Sequence, residues 1–327
     1  MKALVTGSSG HLGEALVRTL QAQGREVLGL DFVPGAFTTA LGSITNRDLV
    51  RRSLAGVTTV FHAATLHKPH VATHTRQQFV ECNVTGTVVL LEESHRAGVG
   101  AFVCTSTTST FGDALQPPPG APAAWITEDI MPVPKNIYGA TKLAAEALCQ
   151  EFQRNEGLPC LVLRTARFFP EADDSRDARR AFSDDNLKVN EYLHRRVELE
   201  DVVSAHLQAA AAAPSLRFGR YIISATTPFS AADCAALRAD AAAVIRQLVP
   251  KYEAEYAKRN WTMYPSLDRV YVNDRARRDL HWQPRHDFRS MLGLLRSGAE
   301  PRSNLARQVG AKGYHQEKFT EEPYPVA

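Results

Sequence analysis

The chain is short of cysteine pairs, of long apolar runs and of charge of one sign, and each shortage excludes something. Its five cysteines, Cys82, Cys104, Cys149, Cys160 and Cys234, form no CxxC pair and share no metal-ligand spacing with histidine. Their neighbours are apolar, so they read as reduced thiols in or near a core, in a cytoplasmic protein without a metal site. The apolar run at the N-terminus is too short to span a membrane, and Gly7 to Gly10 break any signal-peptide core, so neither export nor a membrane partner is expected. Lys and Arg number 38 against 35 Asp and Glu, a formal charge of +3, and the cations are spread among acids. Nucleic-acid binding gains no support. No bias marks disorder, and 327 residues with 44% hydrophobic content can bury one large α/β unit with a smaller lobe.

What is present is concentrated in KALVTGSSGHLG, Lys2 to Gly13. A short apolar, β-branched strand runs into a glycine-rich turn, and apolar residues at helical spacing follow from Glu14 to Leu20. Gly7 allows the tight turn, Gly10 lets the backbone approach a pyrophosphate, and Gly13 lets the helix pack on the strand. His11 and Leu12 open that helix, whose free N–H groups and partial positive charge suit phosphates. Strand, turn and helix in this order predict a bound dinucleotide.

Further strands are expected at Glu26–Asp31, Thr38–Ile44, Thr58–Ala63, Ala101–Thr105, Cys160–Arg164 and Arg220–Ser224. Helices are expected at Asn46–Leu54, Thr75–Ala97, Ile137–Gln153 and Val202–Ala213, with a Pro-rich loop from Gln116 to Pro134. This alternation predicts a Rossmann-type, doubly wound parallel sheet over residues 1–166, with ligands at the carboxyl ends of its strands. Residues 167–327 are expected to form mainly a substrate-binding lobe, with 220–225 returning to the sheet. Ser230–Lys258 has helical spacing, and Ser303–Ala327 reads as a tail extended over the surface or a partner, or else disordered.

Asp31 ends the second strand eighteen residues after Gly13. A carboxylate there accepts from the adenosine ribose hydroxyls and repels a 2′-phosphate, which favours NAD over NADP. Tyr138 and Lys142 lie four apart at a helix start and leave the same face. A phenol with a pKa of about 10 is a poor base at neutral pH, but an adjacent ammonium stabilises the phenolate.

At these positions the chain resembles the extended short-chain dehydrogenase/reductase family, the NAD-dependent epimerase/dehydratases. The resemblance rests on TGSSGHLG, Asp31, HAA at His62 to Ala64, NVTGT at Asn83 to Thr87, TSTTSTFG at Thr105 to Gly112 and YGATK at Tyr138 to Lys142. VELEDVVSAH at Val197 to His206 and DLHWQP at Asp279 to Pro284 extend it. It implies a catalytic triad of Thr107, Tyr138 and Lys142, with Ser106 a near competitor for the Thr107 role. It also places Ser43 and Ile44 at the adenine, with Ala63, Ala64, Thr65, Asn83 and Thr105 about the cofactor. Homodimers of such proteins form through helices like Thr75–Ala97 and Ile137–Gln153.

Departures from the family pattern bear on the reaction. Thr108 and Ser109 stand where nucleotide-sugar dehydratases carry an Asp–Glu pair, which disfavours dehydration. Ser43 replaces an aspartate, and Arg167 replaces the epimerases' asparagine. Arg167, Arg195 and Arg196 either grip a diphosphate or carboxylate of the substrate or pair with Glu171, Asp173, Asp174 or Glu198. Thr108 and His67 are further candidate substrate contacts, and Phe168 to Pro170 a candidate pocket wall. The expected activity is an NAD-dependent epimerase or oxidoreductase of a secondary alcohol or ketone, on a sugar or nucleotide sugar. A dehydrogenase or reductase of a smaller alcohol, and a non-catalytic dinucleotide sensor, are the alternatives.

Overall fold

The computed structural model describes residues 2–313 and Phe319. In chain order it contains β1 (Lys2–Thr6), α1 (His11–Ala22), β2 (Glu26–Asp31), β3 (Ala40–Leu41), α2 (Arg47–Ser53), β4 (Thr59–His62), α3 (Arg76–Val80), α4 (Gly86–Arg96), β5 (Ala101–Thr107), β6 (Ala124–Ile126), α5 (Ile137–Glu156) and β7 (Cys160–Thr165). Beyond these lie α6 (Arg176–Ala181), α7 (Asp184–Glu191), α8 (Leu199–Leu216), β8 (Phe218–Ile223), α9 (Cys234–Leu248), α10 (Tyr252–Ala257), β9 (Arg269–Tyr271), α11 (Asp274–Asp279), α12 (Phe288–Arg296) and α13 (Asn304–Val309).

Seven strands form one parallel sheet in the order β3-β2-β1-β4-β5-β7-β8. This is the doubly wound order, reversing direction between β1 and β4, where a crevice opens at the carboxyl ends. Strand periodicity divides the core. Ala3, Val5, Val103, Leu161 and Leu163 face α1 and α8, whereas Leu4, Phe102, Cys104 and Val162 face α2, α4 and α5. A separate apolar cluster joins α7, α9, α10 and α12 around Leu237, Ile245, Tyr256 and Phe288. Beside it β6 pairs in parallel with β9, Trp125 opposite Val270.

Several elements differ from expectation for local reasons. The strand expected at Thr38–Ile44 reduces to Ala40–Leu41, because Gly42 (φ +150°) leaves the extended region. The helix expected over Thr75–Ala97 contains a π turn at Glu81–Thr85 between α3 and α4. The Pro-rich loop contains β6, and the charged stretch Glu171–Arg196 contains α6, capped by the Ser175 side chain, and α7, which starts after Ser183. Ser230–Lys258 splits into α9 and α10. Of the tail, α13 packs on α1 and α8, and residues 314–318 and 320–327 lie outside the described residues.

Candidate active site

One cleft of about 1370 Å³ runs along the carboxyl ends of the strands, from Asp31 and Phe32 to Arg269 and Tyr271. At its first end Gly7 has φ +75°, and its N–H donates to Leu30 (2.8 Å). A Cβ on Gly7 would lie 2.7 Å from the Ala64 nitrogen, and one on Gly13 would lie 1.9 Å from the Gly7 oxygen. Both positions therefore need glycine for the backbone to fold back on itself. Gly10 caps α1 without a side chain, leaving the first-turn N–H groups of His11 and Leu12 at the cleft. Asp31 is 7% exposed, and its carboxylate accepts from the backbone N–H groups of Ser9 and Val33, both 2.9 Å. Two such bonds leave acceptor capacity for ribose hydroxyls. Ser43 and Ile44 line the same end, with Ser43 Oγ 2.8 Å from Thr45 Oγ1.

The next wall is braced by a hydrogen-bond chain. Ala64 N–H donates to Thr6 Oγ1 (3.2 Å), which lies 2.9 Å from His62 Nδ1. His62 Nε2 lies 3.0 Å from Thr87 Oγ1, which donates to the Asn83 carbonyl (2.7 Å). Each hydroxyl then has one direction to donate, so the proton of His62 is on Nε2. Burial, with the Lys142 charge adding, lowers the His62 pKa to about 3. Asn83 sits in the π turn and does not itself line the cleft. Its Oδ1 accepts from Leu66 N–H (2.8 Å) and Thr65 Oγ1 (2.9 Å), and its Nδ2 donates to Leu66 O and Thr141 Oγ1, both 3.1 Å. It therefore positions Thr65, which with Ala63 and Ala64 faces the cleft. A π turn widens the helix just enough to aim one such side chain inward.

Thr107 ends β5, and its Oγ1 accepts from Ser109 N–H (3.1 Å). Asn136 caps α5 by accepting from Gly139 N–H, which sets Tyr138 in the first turn with its ring in the cleft. Burial pushes the Tyr138 phenol up to about 12, and a hydrogen bond with Thr107 pulls it partly back. Lys142 stands one turn on, 2% exposed and behind the cleft lining, and no acceptor for its ammonium is found among the described residues. Alternation along β5 separates its hydroxyls. Thr105 lies 2.9 Å from His206 Nε2, and Ser106 donates to Glu146 Oε1 (2.5 Å). Of the two candidate hydroxyls, Ser106 is thus engaged on Glu146, and Thr107 meets the phenol. Arg164 Nε and Nη2 close on the same Glu146 carboxylate at 2.7–3.2 Å.

His67, Thr108, Arg167, Phe168 and Phe169 line the far end. The His67 ring is 5.6 Å from that of Tyr138 and 5.3 Å, edge-on, from that of Phe169. Burial first, then His70 and Lys142, lower its pKa to about 3, so it is neutral at pH 7. Arg196 does not reach the cleft: it donates to Glu191 (2.8 Å) and to the Phe169 carbonyl (2.7 Å). Its neighbour Arg195, which lines the cleft, meets Glu191 (2.7 Å) and Asp173 (3.3 Å).

Several residues in or just behind the cleft wall carried no local signal. Glu171 Oε1 lies 2.8 Å from His11 Nε2 and accepts from the N–H groups of Lys312 (3.0 Å) and Gly313 (3.1 Å). Burial raises the Glu171 pKa, but His11 and these N–H groups outweigh it and hold the carboxyl at about 2. The Lys312 ammonium meets Glu14 on α1. Lys312, Gly313 and Phe319 so complete the cleft beside the start of α1. Cys82, expected in or near a core, packs against the Leu66–Phe79–Tyr138 cluster and also lines the cleft. Among the described residues no three His, Cys, Asp or Glu side chains are placed to hold a metal ion. No helix there is long and apolar enough to cross a membrane.

A glycine cradle at a sheet's switch point, a carboxylate ending β2 and a buried phenol facing a threonine define a dinucleotide-binding protein of the Rossmann class. A sequence model of the NAD dependent epimerase/dehydratase family matches residues 3–213, and the chain belongs to that family. NAD is therefore its cofactor, and the Asp31 carboxylate as acceptor for ribose hydroxyls and the glycine turn as a close backbone cradle fit it. The 3-beta-hydroxysteroid dehydrogenase of Mycolicibacterium neoaurum is 28% identical over 236 residues, 65% of this chain and 63% of that protein. A UDP-glucose 4-epimerase of Halalkalibacterium halodurans is 31% identical over 173 residues, 50% of each chain. The chain thus spans between half and under two thirds of the length of these curated relatives. A solved short-chain dehydrogenase/reductase superfamily protein from Agrobacterium tumefaciens, with bound NAD, matches at TM-score 0.66 and 22% identity, covering 94% of this chain and 99% of that one. That likeness is one of fold.

Proposed function

We propose that the protein transfers hydride between NAD and a secondary alcohol or ketone, as an epimerase or oxidoreductase, on a substrate of the sugar or nucleotide-sugar kind. The observation that carries this reading is the meeting of Thr107 and Tyr138 in the cleft, with Lys142 buried one turn behind. Bound NAD supplies a hydride acceptor. Thr107 orients the substrate oxygen, Tyr138 takes its proton as the C–H hydride leaves, and Lys142 steadies the phenolate. A neutral His67 beside Tyr138 shapes the pocket without competing for that proton. In an epimerase the hydride returns to the opposite face of the ketone. A plain dehydrogenase releases NADH, and the steroid dehydrogenase relative supports that second reading. A silent dinucleotide sensor has no need of the Tyr138–Lys142 pair.

The proposal extends to a cytoplasmic homodimer packed through α4 and α5, consistent with five free cysteines, and to a cofactor domain of residues 1–166 with a substrate lobe of 167–327. The deciding experiment follows NADH absorbance and epimer formation with nucleotide sugars, free sugars, sugar acids and sterols. On whichever substrate turns over, Tyr138→Phe is expected to lower kcat by roughly 10²–10⁴-fold with NAD affinity intact. Unchanged turnover refutes the assignment.

A further inference from the structure

Among the described residues, every Lys and Arg side chain that lines the cleft is already ion-paired. Lys68 meets Asp174, Lys135 meets Asp113 (3.2 Å), and Lys312 meets Glu14. Arg167 lies 3.1 Å from Asp173 and 3.6 Å from Asp174, Arg195 lies 2.7 Å from Glu191, and Arg269 lies 2.6 Å from Asp268. The carboxylates at the substrate end are not loose surface groups. Asp173 is 3% and Glu191 1% exposed, and Asp173 Oδ1 is fixed by the N–H of Ser175 (2.8 Å). Burial opposes the charge of Glu191 and Asp174, but the surrounding arginines and Lys68 hold both at about 2. Glu191 and Asp174 are therefore ionised at any physiological pH.

From this we infer that the substrate of the proposed reaction is an uncharged alcohol and not a nucleotide diphosphate. The inference rests on the alcohol-oxidising reading above and narrows its substrate class. A diphosphate at Arg167 and Arg195 meets Asp173, Asp174 and Glu191 at the same guanidinium groups, and like charges at contact distance in a partly buried site repel strongly. Displacing the carboxylates instead leaves them buried without partners. A neutral molecule meets neither difficulty. The remaining wall suits an uncharged ring system, since Leu66, Leu115, Phe168, Phe169 and Tyr271 present carbon between the ion pairs. This charge compensation resolves the two roles that Arg167 and Arg195 had in the sequence: they pair internally.

The test uses NAD-loaded, full-length protein and two independent readouts. Calorimetry measures binding of UDP and of inorganic pyrophosphate, and NADH absorbance follows a free hexose and a 3β-hydroxysterol. UDP and pyrophosphate are expected to bind wild type no better than about millimolar. Asp174→Asn, at the cleft surface, is expected to tighten both at least tenfold. Affinity for a neutral substrate is expected to be indifferent to ionic strength. Micromolar binding of UDP to wild type, unimproved by Asp174→Asn, overturns the inference even where hydride transfer is confirmed. If no alcohol reduces NAD and UDP still binds weakly, the proposed reaction fails while the exclusion of diphosphates stands.

Discussion

Replacing Glu146 with alanine tests how the catalytic helix is held to the sheet. Glu146 is fully buried on α5, one turn beyond Lys142, and bridges Ser106 on β5 and Arg164 on β7. Arg164 is 2% exposed, lies over the Phe111 ring at 4.9 Å, and its Nη1 has no hydrogen-bond partner among the described residues. The variant therefore strands a buried guanidinium and frees a buried hydroxyl. Breaking a buried pair on one side costs about 3–5 kcal/mol. An unfolding entropy of roughly 2.1 cal/mol/K per residue over 327 residues gives about 0.7 kcal/mol per degree. The expected fall in Tm is thus roughly 4–7 °C. Thermal unfolding followed by circular dichroism reads it, with urea titration supplying the free energy. Removing both charges, as Glu146→Met with Arg164→Met, is expected to recover most of the loss, since Arg164 is then not left buried alone and Arg220, 3.3 Å from Glu146 but 28% exposed, can turn to solvent. A loss below about 1 kcal/mol for Glu146→Ala, or a double variant as unstable as the single, refutes the view that this pair clamps α5 to the sheet.

Three further outcomes follow from the site. Ultraviolet titration of the Tyr138 phenol, by difference against Tyr138→Phe, is expected to give a midpoint near 12 without cofactor and a lower one with NAD⁺ bound, whose positive nicotinamide favours the phenolate; an unmoved midpoint refutes the proton path. His62 and His206 are buried neutral, with pKa values of about 3 and about 4 set chiefly by burial. Depressed folded values mean that stability present above the unfolded pKa of about 6.5 is lost as pH falls. Lowering pH from roughly 7 to 5.5 is expected to cost about 1.2 kcal/mol for each, by linkage, and urea unfolding of His206→Gln at the two pH values should show the smaller loss. Gly13→Ala puts a Cβ 1.9 Å from the Gly7 oxygen, so NAD affinity measured by fluorescence quenching is expected to fall at least tenfold; wild-type affinity rules the cradle geometry out.

What the sequence disclosed was governed by range. Gly7, Asp31 and Tyr138 were legible because the glycine turn, the strand end and the helix start carry them at fixed offsets, whereas Thr107, two residues beyond the expected strand, was named only by the family resemblance. The sheet itself was legible from strand alternation, since Ala3 and Val5 against Leu4 already divide its two faces. The rest depends on pairs distant in sequence. Glu171 meets His11 and Lys312, and β6 meets β9, and no local spacing encodes such partners. The π turn stayed hidden because its residues, ECNVT, have ordinary helical propensity, and only the buried demands on Asn83 fix the extra residue. Arg196 was misplaced because an arginine beside a cleft looks the same in sequence whether it faces a ligand or Glu191.

The contact of Glu171 with Lys312 and Gly313 has a consequence for how the protein is made. The cleft that opens at Gly7 is closed by backbone N–H groups some three hundred residues later. At roughly 5–20 residues per second, the N-terminal sheet waits about 15–60 s for its last wall. The wall that residues 312–313 add beside the start of α1 is thus the last part of the cleft to be synthesised, long after the glycine turn that it faces.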